Sequence, residues 1–189
     1  PFPASAARAA LTFWLVDAVG QPVVVPAGTQ VGTAGTVGTP RVFTTLDDLV
    51  ISQPELRAAL TSTGPESFTD VWDALRVPNE SVTCFPRDPM APGDCFYLGV
   101  ERSLAGSALR LSIEANVEGI GVIPNKPPLR WEVFQGDGWI PCTVYGDTTG
   151  GLNRNGTILL LVPPAHEPQT LGGQRAYWLR AQLLAPAPV

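Results

Sequence analysis

The sequence predicts an all-β fold, an antiparallel β-sandwich with the jelly roll among the arrangements that fit, carrying long loops and at most one short helix. Three observations lead there. Twenty Pro and 19 Gly in 189 residues interrupt helices and serve the turns between short strands. Phe96, Leu98 and Val100 alternate with Tyr97, Gly99 and Glu101, and Leu109, Leu111, Ile113 and Ala115 alternate with Arg110, Ser112 and Glu114. Period-two alternation puts one face on a core and the other in solvent. Finally, turn signals recur between the later apolar runs, as sandwiches require. With 44% hydrophobic residues, a domain of this length removes roughly 70% of its unfolded surface from water, so one domain over 11–184 is expected.

Within that domain, residues 11–53 hold the N-terminal strands. Leu11–Val16, a turn at 18–21 and the β-branched run Val23–Val25 read as a hairpin. After a turn at Pro26–Thr29, Gln30–Thr33 and Arg41–Thr45 offer short strands on either side of a Gly/Thr-rich loop, Thr33–Pro40. Residues 54–93 read as irregular or partly helical: Phe68, Val71, Trp72 and Leu75 fall at helical spacing and Ser67 with Asp70 resembles a capping box, while Thr69, Val71 and Val77 are β-branched. Asn79–Gly93 is rich in breakers and reads as loop.

The main strands are expected over 94–184. Beyond the two alternating runs they are Leu129–Gln135, Trp139–Tyr145, Thr157–Val162 and Ala176–Leu184. Gly136-Asp137-Gly138 makes a tight hairpin loop, since Gly takes positive φ without a Cβ clash. Ile158–Val162 lacks alternation and is expected at the centre of a sheet, covered on both faces. Residues 1–10 and 185–189 are Pro/Ala-rich and linker-like. With the missing initiator Met, they lead us to expect a segment of a longer polypeptide.

Charge and cysteine usage narrow the function classes. Twelve Lys+Arg against 17 Asp+Glu, net -5 with no basic cluster, argue against nucleic acid as a partner. No apolar run approaches the ~20 residues that span a bilayer, so direct membrane insertion is not expected. Cys84, Cys95 and Cys142 show no metal-ligand spacing and read as buried thiols of a reducing compartment, with a Cys84–Cys95 bridge as the alternative. His166, the only histidine, stands among prolines without an orienting partner and reads as a surface-loop residue rather than a general base. We expect no catalytic residues, no metal and no cofactor. Asp137 and Asp147 suit turn chemistry better than Ca²⁺, because several carboxylates would be needed.

Trp14, Trp72, Trp131, Trp139 and Trp178 raise a carbohydrate platform as the alternative to core packing. Most are expected inside, with Trp139, after the Gly-Asp-Gly turn, the best candidate for exposure. Asp137, Trp139 and Arg154 are therefore the expected exposed contact residues. The contact loops are Thr33–Pro40, Asn79–Gly93, Val117–Pro128 and Asp147–Gly156.

Several strings together carry a family resemblance. Gly93–Val100 (GDCFYLGV), Leu104–Leu111 (LAGSALRL), Val117–Val122 (VEGIGV), Pro127–Glu132 (PPLRWE), Trp139–Val144, Asp147–Arg154 (DTTGGLNR) and Gly172–Arg180 (closing AYWLR) resemble, in order and spacing, the baseplate assembly proteins of contractile phage tails and phage-tail-like contractile injection systems. Val25–Thr29 with Val42–Thr45 is similar to the opening region of baseplate-J-like wedge proteins. The resemblance spans most of 11–184 and lapses between Leu56 and Asn79. It implies a structural wedge component, not an enzyme, with other baseplate, tube or sheath proteins as partners and self-association a further expectation. It also implies residence in the bacterial cytoplasm during assembly and then in the particle. A carbohydrate- or receptor-binding sandwich module is the alternative, and glycan is a partner only under it.

Overall fold

The structure is a computed structural model describing residues 7–17, 19–34, 40–115 and 128–184. Most of the linker-like ends, the loop tip at 35–39 and nearly all of the 117–128 loop lie outside the described residues. The fold is all-β and antiparallel, with one short helix. The chain divides between Gln53 and Pro54 into two compact units.

The first unit is a ribbon. Strand β1 (Val23–Val25) pairs with β4 (Leu49–Ile51), and β2 (Gln30–Gly32) pairs with β3 (Val42–Thr44). The register is continuous: Val23 faces Ile51 at one end, Gly32 faces Val42 at the other, and the interruptions at 26–29 and 45–48 have equal length. Side chains bridge the interruption. Thr45 Oγ1 donates to the Pro26 carbonyl (2.8 Å) and accepts from the Thr29 N–H (3.0 Å), while the Ala27 N–H donates to Asp48 Oδ1 (2.7 Å). This corrects the expected hairpin, because Val23–Val25 takes Leu49–Ile51 as its partner and Leu11–Val16 forms no strand. Local periodicity identified Val23–Val25 as a strand but carries no information on which distant strand completes it.

The second unit holds the core. A seven-stranded sheet runs β10 (Gly138–Pro141), β9 (Leu129–Gln135), β14 (Gln174–Leu183), β7 (Cys95–Val100), β5 (Leu56–Ser62), β6 (Phe68–Asp70), with β13 (Pro168–Leu171) paired to the first part of β14. A three-stranded sheet runs β11 (Thr143–Asp147), β12 (Gly156–Leu161), β8 (Ala108–Ile113). Seven strands and three make the sandwich. Between the sheets lie Val100, Leu109, Trp131, Val133, Ile158, Leu160, Leu179 and Ala181, drawn from both. The rest of the same face of the larger sheet, at Ala59, Phe96 and Leu98, is covered by α1 (Trp72–Arg76) and the following loop through Val71, Trp72, Val82, Cys84 and Phe85.

The opposite face is also closed. Ala58, Leu60, Cys95, Tyr97, Leu171, Ala176 and Trp178 form a second core with Phe68 and Trp139 against it. Hence β7 is buried at every residue, and Tyr97, whose alternation predicts solvent, is 5% exposed. Gly99 is part of this packing: a Cβ there would lie 2.8 Å from Trp178 Cζ3 and 3.1 Å from Ala58 Cβ.

Two further expectations are revised. Leu56–Ser62, assigned to the irregular region, is a full strand beside β7, and its run Ala58–Ser62 is buried throughout. Its composition (LRAALTS) has helical propensity, and tertiary pairing overrides it. Phe68–Asp70 joins it as β6, so the helix starts only at Trp72, where Asp70 Oδ1 accepts the Trp72 N–H (2.8 Å). Strand β12 is central, but only Ile158 and Leu160 are fully buried; Leu159 and Leu161 on its other face are half-buried.

Candidate functional site

Cross-strand register assembles a charged group on the aromatic face of the larger sheet. One rung crosses six strands, Pro141–Glu132–Arg180–Tyr97–Leu60–Asp70. On it, Arg180 Nε and Nη2 both reach Glu132 Oε2 (2.7 and 2.6 Å). Arg130, two rungs away on the same strand, holds Glu132 Oε1 through Nε (2.8 Å) and Gln182 Oε1 through Nη2 (2.9 Å). The Glu132 side chain is 3% exposed and that of Arg180 is 12%, so this carboxylate is neutralised inside the fold rather than at its surface. A desolvated charge persists only when its lone pairs are satisfied in this way.

Aromatic rings frame the pair. The Arg180 guanidinium lies 4.1 Å from the Trp139 ring centroid, a desolvated cation–π geometry. Trp139 in turn meets Tyr97 and Phe134, each at 5.6 Å, and Tyr97 meets Phe68 at 5.8 Å and Trp178 at 6.2 Å. Burial pushes the Tyr97 hydroxyl well above the usual phenol range, so it is a neutral group. The arrangement can orient strands and fix register. With both Glu132 carboxylate oxygens opposed by guanidinium nitrogens, it has the geometry of a packed ion pair.

This placement revises the expectation for Trp139, whose indole is half-buried between Arg180 and two aromatic rings rather than free. Asp137 is exposed at the tip of the β9–β10 hairpin. Arg154 is exposed on the other sheet, in the β11–β12 loop, where its Nε donates to the Thr148 carbonyl (2.8 Å). Asp137 and Trp139 thus share a hairpin, and Arg154 belongs to a different element. Of the tryptophans, Trp178 and Trp131 are 0% and 3% exposed, Trp72 and Trp139 are half-buried, and Trp14 in the first unit is 39% exposed.

The β11–β12 loop is a tightly bonded knot. Asp147 Oδ1 accepts the Thr149 N–H and hydroxyl (2.7 and 2.6 Å), and Oδ2 accepts the Gly151 N–H (3.2 Å). Thr149, 0% exposed, accepts the Leu152 N–H at its hydroxyl (3.0 Å). The carboxylate is therefore occupied by N–H and O–H donors, the turn chemistry expected of Asp147. Gly156 closes the knot, since a Cβ there would lie 2.7 Å from Thr148 Oγ1 and 2.9 Å from the Thr148 backbone.

His166 is not the surface residue its Pro-rich neighbourhood suggests. It is 5% exposed, with the Leu104 N–H donating to Nδ1 (3.1 Å) and Nε2 3.1 Å from the Trp178 carbonyl. An accepting Nδ1 leaves Nε2 to carry the proton and donate it. Burial lowers its pKa, opposed in part by the Trp178 hydrogen bond. The three cysteines are free thiols. Cys84 and Cys95 pack in cores on opposite faces of the larger sheet, which excludes the alternative bridge. Burial pushes Cys84 up to about 11 and Cys142 up to about 12, so both are weak nucleophiles at neutral pH.

The charged rung and the buried histidine are the two features that sequence reasoning missed. Alternation over Arg130–Glu132 hinted at a shared face, but the partner Arg180 lies 48 residues away and only strand register joins them. Neither a protein-family model nor a curated protein matches this chain. No helix among the described residues is long and apolar enough to cross a membrane.

Proposed function

We propose that this chain is a structural module of a baseplate wedge in a contractile tail or contractile injection system, working through contacts with other baseplate, tube or sheath proteins and not through catalysis. The ordered strings from Gly93 to Arg180 that resemble baseplate assembly proteins are the basis of this reading. The observation that favours it over glycan binding is the burial of Trp131 and Trp178 and the clamping of Trp139 under Arg180. Sugar stacking needs open indole faces; Trp131 and Trp178 are buried, and the Trp139 ring carries the Arg180 guanidinium.

Exposed apolar side chains elsewhere support the reading. Val24, Val42 and Val50 of the ribbon are 53%, 60% and 58% exposed, and Tyr145, set at the register shift of β11, is 68% exposed. Exposed apolar side chains are the kind of group that interaction surfaces use, and a β-bulge re-aims a side chain outward. The test is reconstitution. Particles assembled from a contractile system's sheath, tube and baseplate proteins should incorporate the chain, and omitting it should halt baseplate assembly. Normal particles without it would refute the reading. Binding on a glycan array that Trp139→Ala abolishes would replace it with the carbohydrate alternative.

A further inference from the structure

We propose that His166 is an acid-sensitive latch: a single proton added to its ring unhooks the β7–β8 connection from the β12–β13 loop. The two segments clasp each other. Ser103 Oγ donates to the His166 carbonyl (2.9 Å), the Leu104 N–H donates to His166 Nδ1 (3.1 Å), the Gly106 N–H donates to the Pro163 carbonyl (2.8 Å), and the Val162 N–H donates to the Ser107 carbonyl (2.9 Å). The ring is anchored from below by the Trp178 carbonyl and flanked edge-on by Tyr177 at 5.4 Å. Leu104, whose N–H the ring accepts, belongs to the core between the two sheets.

Protonation cannot be accommodated in that geometry. Nδ1 would become a donor and face the Leu104 N–H at 3.1 Å, replacing a hydrogen bond by two opposed donors. A buried imidazolium also needs a counter-charge, and among the described residues no carboxylate forms an ion pair with it. The ionisable groups on the packed elements are engaged elsewhere or exposed. Glu101 pairs with Arg57, Glu167 accepts the Gly136 N–H, Arg180 pairs with Glu132, Arg102 and Arg175 are exposed, and the Tyr177 ring lies edge-on to the imidazole.

The direction follows from linkage. The folded protein resists the proton more than the unfolded chain, so the latch is complete above the ordinary histidine value of about 6.5 and weakens as pH falls through the window below it. One proton changes the opening equilibrium by up to about tenfold per pH unit. Hydrogen exchange of the Leu104 amide, corrected for intrinsic rate, tests this between pH 7.5 and 4.5 on the full chain. In the wild type the corrected rate should rise by up to about tenfold per unit below the onset. His166→Gln keeps one acceptor and one donor without a titrating group, and its corrected rate should stay flat. A flat wild-type profile, or the same rise in His166→Gln, would overturn the latch. Should His166→Gln not fold, the wild-type ring resonance decides. Titration near 6.5 with an unmoved Leu104 amide shift refutes the proposal, and titration below it with a moving Leu104 amide supports it.

Discussion

The ribbon of β1–β4 and the sheets of β5–β14 share antiparallel pairing and β-branched strands, yet they differ in what lies against their faces. None of the described residues of the ribbon unit is buried, and Val24 and Val50, directly opposed across the strands, both face solvent. The larger sheet of the second unit is covered on both faces, by the smaller sheet and α1 on one and by its own edge aromatics on the other. Pairing alone therefore does not make a stable unit. A two-stranded ribbon is marginal in water, and stability comes from faces that exclude it.

The largest effect expected from this contrast is seen by cutting between Gln53 and Pro54. A fragment starting at Pro54 should retain a cooperative thermal transition, and one ending at Gln53 should show none by circular dichroism. A cooperative transition in the N-terminal fragment would erase the distinction.

Next in size is the buried charge. Glu132→Ala leaves Arg180 desolvated without its partner and should cost about 3–5 kcal/mol in urea unfolding. Replacing both, as Glu132→Leu with Arg180→Met, should recover most of that loss, because the removal of a buried pair as a unit is often neutral. A double variant as unstable as the single one would mean that Arg180 acts chiefly by packing on Trp139.

Gly99→Ala places a methyl against Trp178, Ala176 and Ala58, and overpacking of this kind should cost about 1–3 kcal/mol. The smallest stability effect belongs to the ribbon. Val24→Thr with Val50→Thr should change the second unit's unfolding free energy by less than about 0.5 kcal/mol, while reducing incorporation into particles under the proposed function. An equally large loss of folding stability would show that the ribbon's apolar face is part of the core.

Legibility differed by region for physical reasons. Strand β8 was readable because its outer face is wet: Arg110 and Ser112 alternate with Leu109 and Leu111, and solvent enforces that pattern. Strand β5 was not readable because both its faces are dry, so the pattern collapses to LRAALTS and its small alanines reflect bulky neighbours from other strands. His166 misled for a similar reason. Prolines on either side mark a loop, and loops usually lie at the surface, but this one is folded inward to clasp Ser103 and Leu104.

By itself the sequence determined the β class, the positions of most strands after residue 94, and the turn chemistry at Asp147, since these follow from local backbone preferences and from alternation against water. Tertiary structure alone decided which strands pair, that the aromatic face closes over Glu132 and Arg180, and that His166 is interior. Those features depend on side chains brought together from distant positions, whose mutual burial no local pattern encodes.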